Sequence, residues 1–170
     1  METGERKPVV LDRMAAEIMW ASYAEAYPER VQLSAEYTVE TFGDSAQLAN
    51  VLLHEVIHGC KRATSTVARE FLDDGQPLPR IGSHWIACDG AGIPRVILQS
   101  VALRLGTFRD ADADFAAAEG EDDKSLESWR REHAKYWQRT EAQKGRTWDQ
   151  DTLLVFEHFV PVWPEELVEI

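Results

Sequence analysis

The run Asp89-Gly90-Ala91-Gly92 constrains the fold more than any other feature of the chain. An aspartate and two glycines supply the turn chemistry and φ freedom that a tight reversal needs. The run separates two β-prone stretches, residues 85–88 and 93–105, so an antiparallel pair is predicted in the middle of the sequence. Around this hairpin the hydrophobic period changes from two to that of a helix. Residues 11–27 carry Met14, Ile18, Ala21, Tyr23 and Tyr27 at helical spacings, with Asp12 near the start and Pro28 as the stop. A second helix is expected from Asp44 or Ser45, either of which suits an N-cap, to about His58, with Gly59 as its exit. A third runs from the Ser125 cap to Lys144, with a stripe of Leu126, Trp129, His133, Tyr136, Trp137 and Thr140. Residues 37–42, 62–68 and 153–163 read as further strands, 110–118 as a short helix, and 73–77 and 119–124 as loops. Short strands, a central hairpin and helices at both ends make this an α+β chain, best met by a small β-barrel with peripheral helices.

Charge narrows the possible partners. The 170 residues hold 30 acidic against 18 basic side chains, a net −12. Proteins that grip long duplexes neutralise phosphates over a broad basic face, so duplex DNA is excluded as a partner. A short single strand or a nucleoside in a local basic pocket remains open. Residues 1–8 are polar and expected to fray, with no apolar leader behind them, and no membrane-length apolar run follows. Cys60 and Cys88 have no metal-type spacing and read as reduced core residues of a cytoplasmic protein.

His54-Glu55-Val56-Ile57-His58 matches the zinc-protease pattern, in which two histidines one turn apart bind zinc and the glutamate activates water. The context argues against it. Lys61 and Thr64 stand where a metzincin would have Gly and His. Ala49, Leu52, Leu53, Val56, Ile57 and Cys60 share the apolar face, so the histidines point away from any scaffold that could orient them. A zinc metallohydrolase through His54, Glu55 and His58 is therefore the remote alternative, and no metal or other cofactor is expected.

Gly59-x-Lys61-x-x-Thr64 lies at a helix-to-strand junction. The glycine permits a tight exit. Lys61 offers a cation that can hold an anion or act as a base when partly desolvated, and Thr64 offers a hydroxyl that such a neighbour can activate. Spacing alone puts the two on opposite strand faces unless a bulge intervenes.

This GxKxxT pattern is similar to the hallmark of the ASCH family, and three further segments match in family order. Phe42-Gly43-Asp44-Ser45 resembles the opening of the preceding helix in one bacterial subgroup. Ala118-Glu119-Gly120-Glu121, followed by Ser125, Leu126, Trp129, Arg130 and His133, resembles its acidic loop and long helix. Val155-Phe156-Glu157-His158-Phe159 resembles its closing strand. The resemblance implies a PUA-like β-barrel at residues 37–164, with a helical extension packed on it at 1–36 and a tail at 165–170. It also implies a cleft beside the hallmark for single-stranded RNA or a modified nucleoside. Some family members resemble amidohydrolases of N-acetylated cytidine that use a Lys, Thr and Glu set, and others are associated with ribonuclease activity. By this likeness Lys61, Thr64 and a glutamate of the acidic loop, Glu121 first and Glu119 next, form the expected catalytic set. Arg62, Thr66, Trp85 and Glu119 are the expected substrate contacts, Thr66 standing where the amidohydrolase form carries Arg.

Three roles follow. In a hydrolase, Thr64 attacks or positions water, Lys61 handles the proton, and Glu121 orients the lysine. In a ribonuclease, Lys61 and Arg62 hold a phosphate. In a non-catalytic RNA-binding module, Lys61 anchors the backbone while Trp85 or Tyr37 stacks a base. Against these stand plainer readings: Trp85, Trp129 and Trp137 as core, His133 as a hydrogen-bonded packing residue, and the acids from 110 to 127 as a solvated face.

Overall fold

The computed structural model describes residues 8–169; the expectation of fraying at residues 1–7 lies outside them. The elements run α1 (Arg13–Ala26), α2 (Pro28–Leu33), β1 (Tyr37–Thr41), α3 (Ala46–Ile57), β2 (Ala63–Val67), α4 (Ala68–Asp73), β3 (His84–Cys88), β4 (Pro94–Gly106), α5 (Ala113–Glu119), α6 (Leu126–Gln143) and β5 (Leu154–Trp163), with 3-10 turns at Phe108–Asp110 and Glu165–Leu167. The five strands are ordered β1-β3-β4-β5-β2. The described chain forms two compact units. One draws on Met1–Gly59, Ile81–Ser100 and Phe159–Ile170, the other on Cys60–Arg80 and Val101–His158.

In the first unit, Asp12 caps α1 by accepting from Ala15 N–H at 2.9 Å. Pro28 ends that helix and also opens α2, because a proline at N1 has no N–H to leave unpaired; the sequence reading took it only as a stop. β3 runs parallel to β1 from Tyr37↔His84 to Thr41↔Cys88 and antiparallel to β4, with an irregularity between Ala87 and Cys88. The central reversal forms as expected. Gly92 adopts φ 82°, and the Asp89 carboxylate accepts from the N–H groups of Ala91 (2.9 Å) and Ile93 (3.0 Å). One core of this unit gathers Phe42, Leu53, Val56, Trp85 and Phe159; another gathers Ala16, Tyr23, Ile86, Ile97 and Val162. Cys88 is buried, and burial pushes its thiol up to about 11.

In the second unit, β2 pairs antiparallel with β5, Ala63↔His158 through Val67↔Leu154. The strand expected over 62–68 is shorter at both ends, and Ala68 starts α4, a one-turn-and-a-half helix for which the sequence shows no signal. Ser125 caps α6 by accepting from Ser128 N–H at 3.1 Å. The stripe read for α6 is borne out: Trp129, Trp137 and Thr140 are buried. Trp129 and Trp137 join Ala63, Val67, Phe115, Trp148 and Phe156 in one core. Cys60, read as a core residue, is exposed, because α3 ends at Ile57 and Cys60 falls beyond it.

Candidate functional site

The centre of the second unit is a cluster of charges packed where hydrophobic contacts would be ordinary. Lys61 has no exposed side-chain surface and Glu119 has 1%. The backbone explains how they meet. Gly120 ends α5 in the left-handed region at φ 67°, and an added Cβ there would stand 3.0 Å from Lys61 N and 3.1 Å from its Cα. Only glycine allows both the conformation and the approach. Arg62 N–H then donates to Ala118 O at 2.7 Å, tying the entry of β2 to the end of α5.

The Lys61 ammonium donates to Ala63 O (3.0 Å), Glu119 O (3.3 Å) and Glu121 Oε1 (2.7 Å). The Glu119 carboxylate lies 3.8 Å away. That carboxylate is itself surrounded by donors. Ser65 gives its backbone N–H to Oε1 (3.1 Å) and its hydroxyl to Oε2 (3.1 Å). The Trp129 indole N–H donates to Oε2, and His133 Nε2 lies 3.1 Å from the same oxygen. Burial would push the Glu119 carboxyl up, but the charge and hydrogen bond of His133, then Lys61 and Trp129, outweigh it and hold the group below its ordinary 4.5.

His133 is held at both ring nitrogens. Nδ1 faces the Trp129 carbonyl at 2.9 Å, and a carbonyl can only accept. Nε2 faces the ionised Glu119. Both nitrogens must therefore carry hydrogen, so the ring is an imidazolium. It stacks on Trp129 with centroids 4.4 Å apart and planes at 18°, a seat that favours a cation. Burial would lower its pKa; the charge and hydrogen bond of Glu119, then the charge of Glu121 and the Trp129 carbonyl, raise it above 6.5. Lys61 and His133 thus meet the carboxylates of Glu119 and Glu121 in one cluster. Of the four, His133 is 11% exposed and Glu121 25%, so Glu121 is the member with most contact with solvent.

Ligand atoms of Glu119, Glu121 and His133 fall within 4.8 Å of one another, a spacing that would suit a metal ion. The set does not fit one. His133 has no lone pair free in this state, Glu119 Oε2 already takes three donors, and the Lys61 ammonium occupies the anionic centre.

The other expected site residues lie as follows. Thr64 stands opposite Glu157 in the β2–β5 register, one position from Ser65, and so on the other strand face. Thr66 shares the Thr64 face. Arg62 donates through Nη1 to Lys61 O at 2.7 Å. Trp85 is buried in the first unit, 4.9 Å from Phe42 and 5.6 Å from Phe159 between ring centroids, and Tyr37 is stacked on Trp20. His54 on α3 and His58 at its C-cap are exposed with ring centroids 4.8 Å apart, and among the described residues no third metal-type ligand joins them.

Sequence reasoning missed Ser65 and the linked roles of His133 and Trp129; it named Glu119 as a substrate contact, not as the buried carboxylate that ties them together. One signal was available. Ala63, Ser65 and Val67 alternate onto the core side of β2, which places a lone hydroxyl on an otherwise apolar face.

The family model for the ASCH domain matches residues 38–162. A solved ASCH domain from Lactobacillus crispatus JV V101 is 23% identical, with a TM-score of 0.79 over 95% of this chain and 98% of its own. A crystal structure of a protein from Enterococcus faecalis V583 is 25% identical, with a TM-score of 0.76 over 90% of this chain and 92% of its own. No curated protein matches.

Proposed function

The chain belongs to the ASCH domain family, an α+β PUA-like fold linked to RNA binding, and on that footing we propose that it binds single-stranded RNA at the Lys61 cluster. One observation carries the reading: a buried lysine and a largely buried imidazolium converge beside a carboxylate, Glu121, that reaches solvent. An RNA strand offers the same chemistry at its backbone. Arg62, half-buried at the mouth of β2, adds a cation beside it. The acidic balance of the whole chain fits a local contact with a short strand better than a grip on a duplex.

The hydrolase form of this reading, on RNA or on an N-acetylated nucleoside with Lys61, Thr64 and Glu121, has the 2.7 Å Lys61–Glu121 pair in its favour. It requires the Lys61 ammonium to be released from an acceptor that now holds it before it can move a proton. Ser65 then joins Thr64 as a candidate hydroxyl, since it already lies on Glu119.

The test is fluorescence anisotropy with a labelled single-stranded RNA decamer and a duplex DNA of equal length. Preferential binding of the RNA, weakened about tenfold in Arg62→Ala, supports the reading. Equal affinity for both, or no binding of the RNA at low salt, overturns it. Product analysis of the same RNA and of N-acetylcytidine decides between binder and hydrolase.

A further inference from the structure

We propose that the outward face of α1 is a self-association surface, on which a second copy of this chain lays its own α1 in the antiparallel sense about a two-fold axis. The proposal stands apart from the RNA-binding reading and concerns the first unit alone.

Helix α1 has two apolar faces, and the fold uses one of them. Ala16 and Tyr23 are fully buried and join Ile86, Ile97 and Val162 in a core. On the other side Val10, Met14 and Ile18, each four residues from the next, stand 85%, 74% and 64% exposed. At about 100° per residue, Met14, Ile18 and the exposed Ala21 fall within an arc of about 60° that points away from Ala16 and Tyr23. Val10 precedes the helix but is held at its start: Asp12 N–H donates to Gly92 O at 2.9 Å, and a Cβ on Gly92 would run into Val10 O. Single exposed apolar side chains are ordinary. Three aligned along one face of a capped helix form a strip that marks an interaction surface.

The residues on and beside the strip identify what covers it. In a two-fold pair each contact is made twice, i to j and j to i. With the axis midway between Met14 and Ile18 and the helices antiparallel, Met14 meets the partner's Ile18, and Ile18 the partner's Met14. Val10 comes over the partner's Ala21 and the partner's Ser22, whose small side chains leave room for it. Arg13 and Glu17 lie on the same flank of the strip. Equal flanks meet in an antiparallel pair, so Arg13 comes level with the partner's Glu17 to within two residues, about 3 Å along the axis. The symmetry makes that ion pair twice. Parallel packing brings unlike flanks together and sets Arg13 on the side of Ala15 and Ser22 instead. Antiparallel packing also opposes the two helix dipoles.

The strip supplies the affinity and the ion pairs set the register, because exposed pairs contribute little by themselves. A contact along one helix of 14 residues, about 21 Å long, lies at the small end of specific interfaces. Monomer and dimer therefore exchange reversibly.

Sedimentation velocity of the full chain over a concentration series tests this with wild type, Ile18→Glu, Arg13→Glu, Glu17→Arg and the double reversal Arg13→Glu/Glu17→Arg. Wild type is expected to shift from monomer to dimer as concentration rises. Ile18→Glu should weaken the dimer about tenfold or more; Met14→Glu takes its place if circular dichroism shows Ile18→Glu to be unfolded. Each single reversal should weaken the dimer about threefold, and the double reversal should return it to the wild-type strength. A wild type that stays monomeric at every concentration, its strip left to some other occupant, overturns the proposal. So does a dimer that the glutamate on the strip leaves unchanged. A double reversal weaker than both single reversals overturns the antiparallel register and the proposal with it.

Discussion

The Glu121 carboxylate reaches from a solvent-touched loop to within 2.7 Å of the Lys61 ammonium, which has no exposed surface of its own. The short distance and unequal burial together make Lys61 the structural centre of the second unit. Replacing it with methionine keeps the stem volume and removes the charge, leaving Glu119 in the interior with less compensation. Breaking a buried pair from one side is costly, and Lys61→Met is expected to lose about 3 kcal/mol in urea unfolding. A loss under about 0.5 kcal/mol, the range of ordinary surface changes, would show that the buried charge is not needed.

The cluster makes stability depend on pH in a direction that can be derived. The folded pKa of His133 is raised above 6.5. Its contribution is therefore complete below 6.5 and disappears as pH climbs through the raised value. Glu119 is lowered below 4.5, so its contribution is present above 4.5 and is lost as pH falls through the lowered value. The difference in urea midpoint between wild type and His133→Gln should be largest between those limits and shrink on the alkaline side. A difference that grows with rising pH contradicts the assigned charge.

Gly120 and Gly145 separate conformation from crowding. Both lie in the left-handed region, at φ 67° and 70°. A Cβ on Gly145 meets nothing within 4 Å, whereas one on Gly120 meets the Lys61 backbone at 3.0 Å. Gly145→Ala is expected to cost about 1 kcal/mol from backbone strain alone. Gly120→Ala should cost about 2 kcal/mol or more, since backbone must also shift. Equal thermal shifts in the two variants would remove the close approach from the account.

A second ionic clamp in the same unit is structural. Glu141, on α6, has no exposed surface and accepts from Arg69 Nε at 2.7 Å and Arg146 Nε at 3.0 Å. Arg146 also grips Asp73 through Nη1 at 2.8 Å. The clamp joins α4, α6 and the turn after α6. Glu141→Ala is expected to lose about 2 kcal/mol, toward the low side for a buried pair because both arginines reach solvent. RNA affinity of the folded variant should stay that of wild type.

Local chemistry made much of this architecture legible. Asp12, Ser45 and Ser125 were readable as caps because a short oxygen-bearing side chain ahead of a periodic apolar run has few other uses. Asp89 to Gly92 gave the hairpin for the same reason. α2 and α4 were hidden because each is six residues long, too short for a hydrophobic period to emerge. Lys61, Glu119 and Glu121 were found from the resemblance of the hallmark and the acidic loop. The cluster's wiring was not, since Ser65, Trp129 and His133 meet Glu119 only through tertiary packing of β2, α5 and α6. An acidic stretch reads as solvated until a fold buries one of its members.

The protonation of His133 underlies both the wiring of the cluster and its pH dependence. Long-range proton–nitrogen correlation spectra of uniformly ¹⁵N-labelled protein at pH 6 report it directly, with His133→Gln assigning the signal. Both ring nitrogens of His133 are expected at protonated shifts, with the imidazolium persisting above pH 6.5. A neutral ring at pH 6, with one nitrogen bare, would contradict the account.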